Sequence, residues 1–78
     1  GWAYRNKGIL YLKKKDYSSA ERVLRQAMEI DPSIDRLYFY LGSACREAGK
    51  KAEACAFFRE SEKRGDGVLT ADQLRTCR

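Results

Sequence analysis

The sequence predicts an all-α protein, an α-solenoid in which two antiparallel helix pairs are stacked and are followed by a short fifth helix. Three observations predict this fold. The chain contains a 34-residue repeat, apolar and small residues recur three or four positions apart within each repeat, and helix-stopping residues such as Asp31 and Pro32 divide the periodic segments. Superposing the two halves gives identities at Tyr4/Tyr38, Gly8/Gly42, Ala20/Ala54 and Arg25/Arg59.

The composition fits a single small domain. The chain has 78 residues, of which 44% are hydrophobic and 35% are charged, and a chain this short buries only about 60% of its unfolded surface. Its longest uncharged stretch, 37–45, is half of the roughly 18 residues that a membrane span needs. The sequence begins with Gly1 and not with Met, so we expect a piece of a longer protein.

The first helix pair can be placed from its end signals. Helix one should run from about Trp2 to Lys14, and the lysine run 13–15 at its end suits the negative pole of the helix dipole. Asp16 is placed to cap the N-terminus of helix two. Helix two should continue to about Ile30, before Asp31 and Pro32 stop it.

The second pair and the final helix follow by the same reasoning. Helix three should start within 33–35 and end by Gly49, and helix four should run from about Lys50 to Lys63 or Arg64. A glycine-rich turn at 65–67 comes next. In the last segment Thr70 and Gln73 form a capping box, and Leu69 with Leu74 a hydrophobic staple, so we expect a fifth helix over about 70–78.

The residues that repeat are characteristic of one family. The first unit has an aromatic residue, a glycine, a tyrosine, an alanine, a large apolar residue, a second alanine and a proline, at Tyr4, Gly8, Tyr11, Ala20, Leu24, Ala27 and Pro32. The second unit has the matching residues Tyr38, Leu41, Gly42, Ala54 and Phe58. This pattern resembles the tetratricopeptide repeat. The resemblance implies one domain over 1–78, with repeat one at 1–34, repeat two at 35–68 and a capping helix at about 70–78. It also implies that the helix pairs stack in a right-handed sense.

The second unit departs from the family pattern at three positions. Cys45 stands where tyrosine is usual, Ser61 where alanine is usual, and Asp66 in place of proline. The small residues are kept in both units, and we expect Gly8 and Gly42 to let neighbouring helices approach closely, with Ala20 and Ala54 as small partners in the facing helix.

The resemblance also implies a function, since tetratricopeptide repeats usually bind extended peptides or single helices on the concave side, which the first helix of each pair lines. It predicts a scaffold or adaptor whose partner is another protein. The family's inward-facing positions give the candidate peptide-binding residues Trp2, Arg5, Ile9, Leu12, Lys13, Arg36, Phe39, Ser43 and Arg46, with Glu47 as the one acid among them. This mixture suits a ligand with acidic and apolar residues.

Other functions were weighed against this one. The sequence has no histidine, which removes the commonest catalytic base, so we expect no enzyme. Nucleic-acid binding is the main alternative, because 16 basic residues give a net charge of +5 beside five tyrosines. Four of those tyrosines, however, fall at packing positions of the repeat. Self-association, or packing inside a larger repeat protein, is the other alternative, since about three repeats are normally needed for stability.

The cysteines and acidic residues suggest no cofactor and no metal. Cys45, Cys55 and Cys77 are odd in number and lack a Cys-x-x-Cys spacing, so neither a disulfide framework nor a zinc site is indicated. We therefore expect reduced, packed thiols, which favour a cytoplasmic protein, and an inert thiol at the core position of Cys45. Residues 62–73 resemble a calcium loop, but Arg64 and Gln73 replace ligand positions.

Overall fold

The computed structural model describes residues 2–34, 36–66, 71, 73–75 and 77. This part of the chain is helical and contains no strand, which confirms the all-α prediction. In the same residues no helix is both long and apolar enough to cross a membrane. The elements are α1 (Trp2–Lys13), α2 (Tyr17–Ile30), α3 (Leu37–Glu47), α4 (Lys51–Ser61) and a turn, Glu62–Asp66, that follows α4 and is kinked at Gly65, where φ is 99°.

The helices pack in the order in which the chain makes them. α1 packs against α2, and α3 packs against α4. α2 also packs against α3, and this contact joins the two pairs. α1 and α3, the first helices of the two pairs, contact each other as well. The helix pairs are therefore stacked as a solenoid, as the sequence predicts.

The helices α2 and α3 start in different ways. The Asp16 carboxylate accepts a hydrogen bond from the backbone N–H of Ser19 at 3.3 Å, which confirms it as the cap of α2. α3 begins at Leu37, later than the predicted 33–35, because Arg36 has a φ of 60°. A residue in the left-handed region cannot continue into a right-handed helix, so the helix starts after it.

The glycines set the spacing within each helix pair, but alanine is not their nearest partner. A Cβ atom at Gly8 would lie 2.5 Å from Cγ of Leu24, and one at Gly42 would lie 2.7 Å from the ring of Phe58. The nearest atoms to each glycine therefore belong to a large side chain, and Ala20 and Ala54, the expected small partners, are almost completely buried. Each glycine instead makes room for the large side chain one helical turn after the alanine.

Two apolar clusters form the core. The first joins α2 and α3, and its buried members are Ala20, Leu24, Ala27, Ile34, Leu37, Leu41 and Ala44. The second, which we call the end cluster, contains buried Cys45, Ala54 and Phe58 with part-buried Phe39, Phe57 and Leu74 against them. Ala71 and 73–75, within the predicted fifth helix, are helical, and Leu74 brings this segment onto the end cluster. The proposed cap Thr70 and staple residue Leu69 lie outside the described residues.

A disulfide bond joins α4 to this C-terminal segment. Cys55 and Cys77 are bonded, with their Cα atoms 5.6 Å apart. The prediction of reduced thiols is therefore wrong for these two residues and correct for Cys45, which is free and buried. The sequence argument considered only the number and short-range spacing of cysteines, whereas helix packing brings together two that are 22 positions apart. The argument for a cytoplasmic protein no longer has support.

Candidate functional site: the face formed by the first helices of each pair

The predicted binding residues of repeat one lie along α1. Arg5 and Ile9 are part-buried, and Lys13 at the end of the helix is exposed. Leu12 is also part-buried, and it packs against the core cluster between α2 and α3. Within this set Arg5 and Ile9 are therefore the other part-buried residues of α1. The side chain of Trp2, the remaining candidate, lies outside the described residues.

The predicted residues of repeat two lie on α3 and just before it. Phe39 is part-buried, with its ring centroid 5.5 Å from that of Tyr40 and 6.2 Å from that of Phe58. The Ser43 hydroxyl donates a hydrogen bond to the backbone carbonyl of Phe39 at 3.0 Å, so it is committed to its own helix. Arg36 is exposed and precedes α3. Because α1 contacts α3, we expect these residues and those of α1 to share one surface, which we call the A-helix face.

The A-helix face carries more positive than negative charge. Arg46 is paired with Glu47 at 3.3 Å, which leaves the acid of this face neutralised by its own neighbour. The guanidinium of Arg5 donates to the side-chain oxygen of Asn6 at 3.3 Å. A ligand that lies along α1 and α3 therefore meets a cationic surface interrupted by the apolar groups of Ile9 and Phe39.

An ion-pair network between α2 and α4 connects the two repeats. The Glu21 carboxylate, only 6% exposed, accepts hydrogen bonds from Nε of Arg25 at 2.9 Å and from Nζ of Lys50 at 3.1 Å. Arg25 also donates to the carboxylate of Glu53 at 2.9 Å, and its guanidinium stacks over the ring of Phe57, 5.2 Å from the centroid. The network links α2 to α4 and to the turn that precedes α4.

The comparison with known families agrees with this geometry. The tetratricopeptide repeat family matches the chain twice, over residues 1–34 and over residues 35–64. The chain belongs to the tetratricopeptide repeat family. No curated protein and no solved structure gives a significant match.

Tetratricopeptide repeats generally mediate protein–protein interaction and scaffolding and are typically non-catalytic. The two family matches meet at the connection between α2 and α3, where the structure also separates the two helix pairs. The A-helix face is thus formed by α1 and α3, the first helix of each repeat. The ion-pair network crosses the boundary between the two repeats.

Burial and the charges of this network shift the pKa values of Glu21 and Cys45. Burial acts to raise the pKa of the Glu21 carboxyl, but the hydrogen bonds and charges of Lys50 and Arg25 outweigh it, and this pKa lies below its ordinary value of 4.5. Burial, together with the Glu21 charge, raises the pKa of the Cys45 thiol to about 11. Cys45 therefore stays protonated near neutral pH, which agrees with the inert thiol that the sequence predicts.

The same residues include the candidate metal ligands of the described chain. Ligand atoms of Glu21, Cys45 and Glu53 lie within 4.8 Å of one another. A metal would need the Cys45 thiolate and both carboxylates, yet the thiol is protonated and the carboxylates already accept hydrogen bonds from Lys50 and Arg25. We therefore interpret the cluster as an ion-pair network and assign it no metal.

Sequence reasoning did not find this network. Glu21 and Arg25 are four positions apart on one helix, a spacing at which opposite charges pair, and that signal was available. Lys50 and Glu53, however, lie 29 and 32 positions after Glu21, and only the stacking of α2 on the second pair brings them to it.

Replacing Glu21 by glutamine should destabilise the fold by about 1–3 kcal/mol near neutral pH, because buried charged hydrogen bonds are lost and the cations remain. Since the native pKa of Glu21 is depressed, its contribution is present above pH 4.5 and disappears as the pH falls through the native pKa. The measurement is urea unfolding of both proteins at several pH values. The difference between them should shrink below pH 4.5, and a difference that is constant with pH would contradict the assignment.

Proposed function

We propose that this protein is an interaction module whose A-helix face binds a peptide or helix of a partner protein rich in acidic and apolar residues. The observation that carries the proposal is the position of Ile9 and Phe39, two part-exposed apolar residues on adjacent helices, beside the cations Arg5 and Arg36. Apolar side chains in a surface of this kind supply buried area on binding, and arginine pairs with carboxylates through two parallel hydrogen bonds.

The division of roles among the face residues follows from their contacts. The ring of Phe39 packs against the ring of Phe58, which restricts the Phe39 side chain in the absence of a ligand. This restriction lowers the entropy cost of binding. Arg36 is exposed and its backbone is locked in the left-handed region, so its guanidinium projects from a defined point at the start of α3. We assign Phe39 and Ile9 to the apolar anchor of the ligand, and Arg5 and Arg36 to its carboxylates.

The double substitution Arg5→Glu with Arg36→Glu should abolish or strongly weaken binding of short peptides that carry several acidic residues and one large apolar residue. Each lost charged hydrogen bond costs about 1.5–3 kcal/mol, so affinity should fall by at least about tenfold per arginine. Isothermal titration calorimetry measures the affinities, and circular dichroism confirms that both proteins fold.

A matched control is Arg22→Glu with Lys63→Glu, which changes the net charge by the same amount at exposed positions away from the face. It should bind nearly as well as the wild type. Equal weakening by the two variants would show that only net charge matters and would rule out the proposed face. Sedimentation over a range of protein concentrations separates this function from self-association.

A further inference from the structure

The turns inside the two helix pairs lie on one edge of the stack. The first turn joins α1 to α2 at 14–16, and the second joins α3 to α4 at 48–50. Nζ of Lys50 in the second turn lies 3.1 Å from the carboxylate of Glu21, about one helical turn into α2. This ion pair joins the second turn to the N-terminal half of α2, the helix that follows the first turn.

This edge is strongly basic, and the opposite edge is not. Residues 13–16 and 46–51 together carry six lysines and arginines against the two acids Asp16 and Glu47. On the other edge, Arg64 donates a hydrogen bond to the carbonyl of Pro32 at 3.1 Å and so brings 31–36 and 62–66 together. Those segments carry three cations against four acids. The positive charge of the chain is therefore concentrated on the edge formed by the turns inside the helix pairs, which we call the basic edge.

Most of the cations on the basic edge have no acid to neutralise them. Arg46 pairs with Glu47, and Lys50 pairs with Glu21. Among the described residues, no acid forms an ion pair with the exposed Lys13, Lys14, Lys15 or Lys51. Neighbouring helices lie about 8–10 Å apart, which is close to the Debye length of about 8 Å at physiological ionic strength. The electrostatic potentials of the two turns therefore overlap.

We propose that the basic edge binds the anionic headgroups of a lipid bilayer surface. Clusters of about four to eight lysines and arginines on one surface are typical of attraction to anionic lipids. Leu10, 56% exposed, lies one helical turn before Lys13 on α1, so an apolar side chain stands beside the cations where it can enter the headgroup region.

Nucleic acid fits the same edge less well. Binding to single strands relies on aromatic side chains that stack on bases, and Tyr17, the aromatic residue at the start of α2, is part-buried. Bidentate contacts to bases or phosphates need an available arginine, and Arg46 is paired with Glu47. Contact with a phosphate backbone does not bury an exposed leucine in apolar surroundings, whereas the apolar boundary of a bilayer does, and that burial stabilises binding.

Co-sedimentation with vesicles tests this proposal. The protein should bind vesicles that contain phosphatidylserine, should not bind vesicles of phosphatidylcholine alone, and should dissociate as salt is added. The triple variant Lys14→Gln, Lys15→Gln, Lys51→Gln should reduce the partition coefficient roughly a hundredfold, at about fivefold per lysine. None of these lysines is among the proposed peptide-binding residues, so the result is independent of the A-helix face.

The control variant is Lys7→Gln, Arg22→Gln, Lys63→Gln, which has the same net charge and changes exposed residues away from the basic edge. It should bind the anionic vesicles almost as well as the wild type. The proposal is overturned if the two triple variants bind equally, if the wild type ignores phosphatidylserine at low salt, or if duplex DNA or RNA binds more tightly than the vesicles at the same ionic strength.

Discussion

Reduction of the Cys55–Cys77 disulfide is expected to lower the free energy of unfolding by about 3 kcal/mol. The bond closes a loop of 22 positions, and the chain-entropy account of cross-links gives this value for a loop of that length. The whole domain should have a stability of only about 4–12 kcal/mol at its size. The expected fall in melting temperature is roughly 12–24 °C, large enough to change whether the protein is folded at elevated temperature.

Thermal unfolding with and without a reducing agent measures this effect. Cys77→Ser should melt near the temperature of the reduced wild type and should not respond to the reductant. Cys45→Ala should keep the response, because the free thiol of Cys45 is buried away from the bond. Thiol titration of the unfolded wild type, purified without reductant, should count one thiol; three thiols and no shift on reduction would refute the bond.

The loss of the bond should also act on the end cluster. Leu74 packs against this cluster from the C-terminal segment, and a guanidinium nitrogen of Arg59 donates to the carbonyl of Cys77 at 3.4 Å. Without the covalent link, non-covalent contacts such as these have to hold the segment. Phe39 belongs to the end cluster and also to the A-helix face, so the C-terminal segment stabilises a residue to which we assign ligand binding.

The parts of the fold that the sequence predicted depend on local chemistry. The apolar period of three to four residues placed four helices, and Asp16 capped α2 as expected, since a cap needs only the next few residues. The late start of α3 depends on the left-handed backbone of Arg36. Arginine has no special preference for that conformation, so nothing in its identity could predict it.

The parts that the sequence missed depend on contacts between repeats. The disulfide needs Cys77 to fold back onto α4, and the Glu21 network needs Lys50 to meet α2 across the repeat boundary. Neither pair has a spacing that marks it. The candidate binding residues came from the family resemblance, and their contact with a ligand stays a prediction.

Substitution of Gly42 by leucine should destabilise the fold by about 3 kcal/mol. A Cβ atom at this position would lie 2.7 Å from the Phe58 ring, and Phe58 is almost completely buried, so the ring has no open space into which to move. Phe58→Ala should cost about 3–5 kcal/mol through the cavity that it leaves. Both changes approach the total stability of the domain.

The two substitutions should partly cancel when they are combined, because the leucine then fills the volume that the ring leaves. We expect the double variant to be more stable than the sum of the single effects by about 1–3 kcal/mol. Gly8→Leu is the matched control, since its Cβ would meet Leu24 and not Phe58, and its effect should simply add to that of Phe58→Ala. Urea unfolding in a stabilising osmolyte keeps the weak variants folded. Additive effects at both glycines would contradict a glycine–aromatic contact as the determinant of the spacing between α3 and α4.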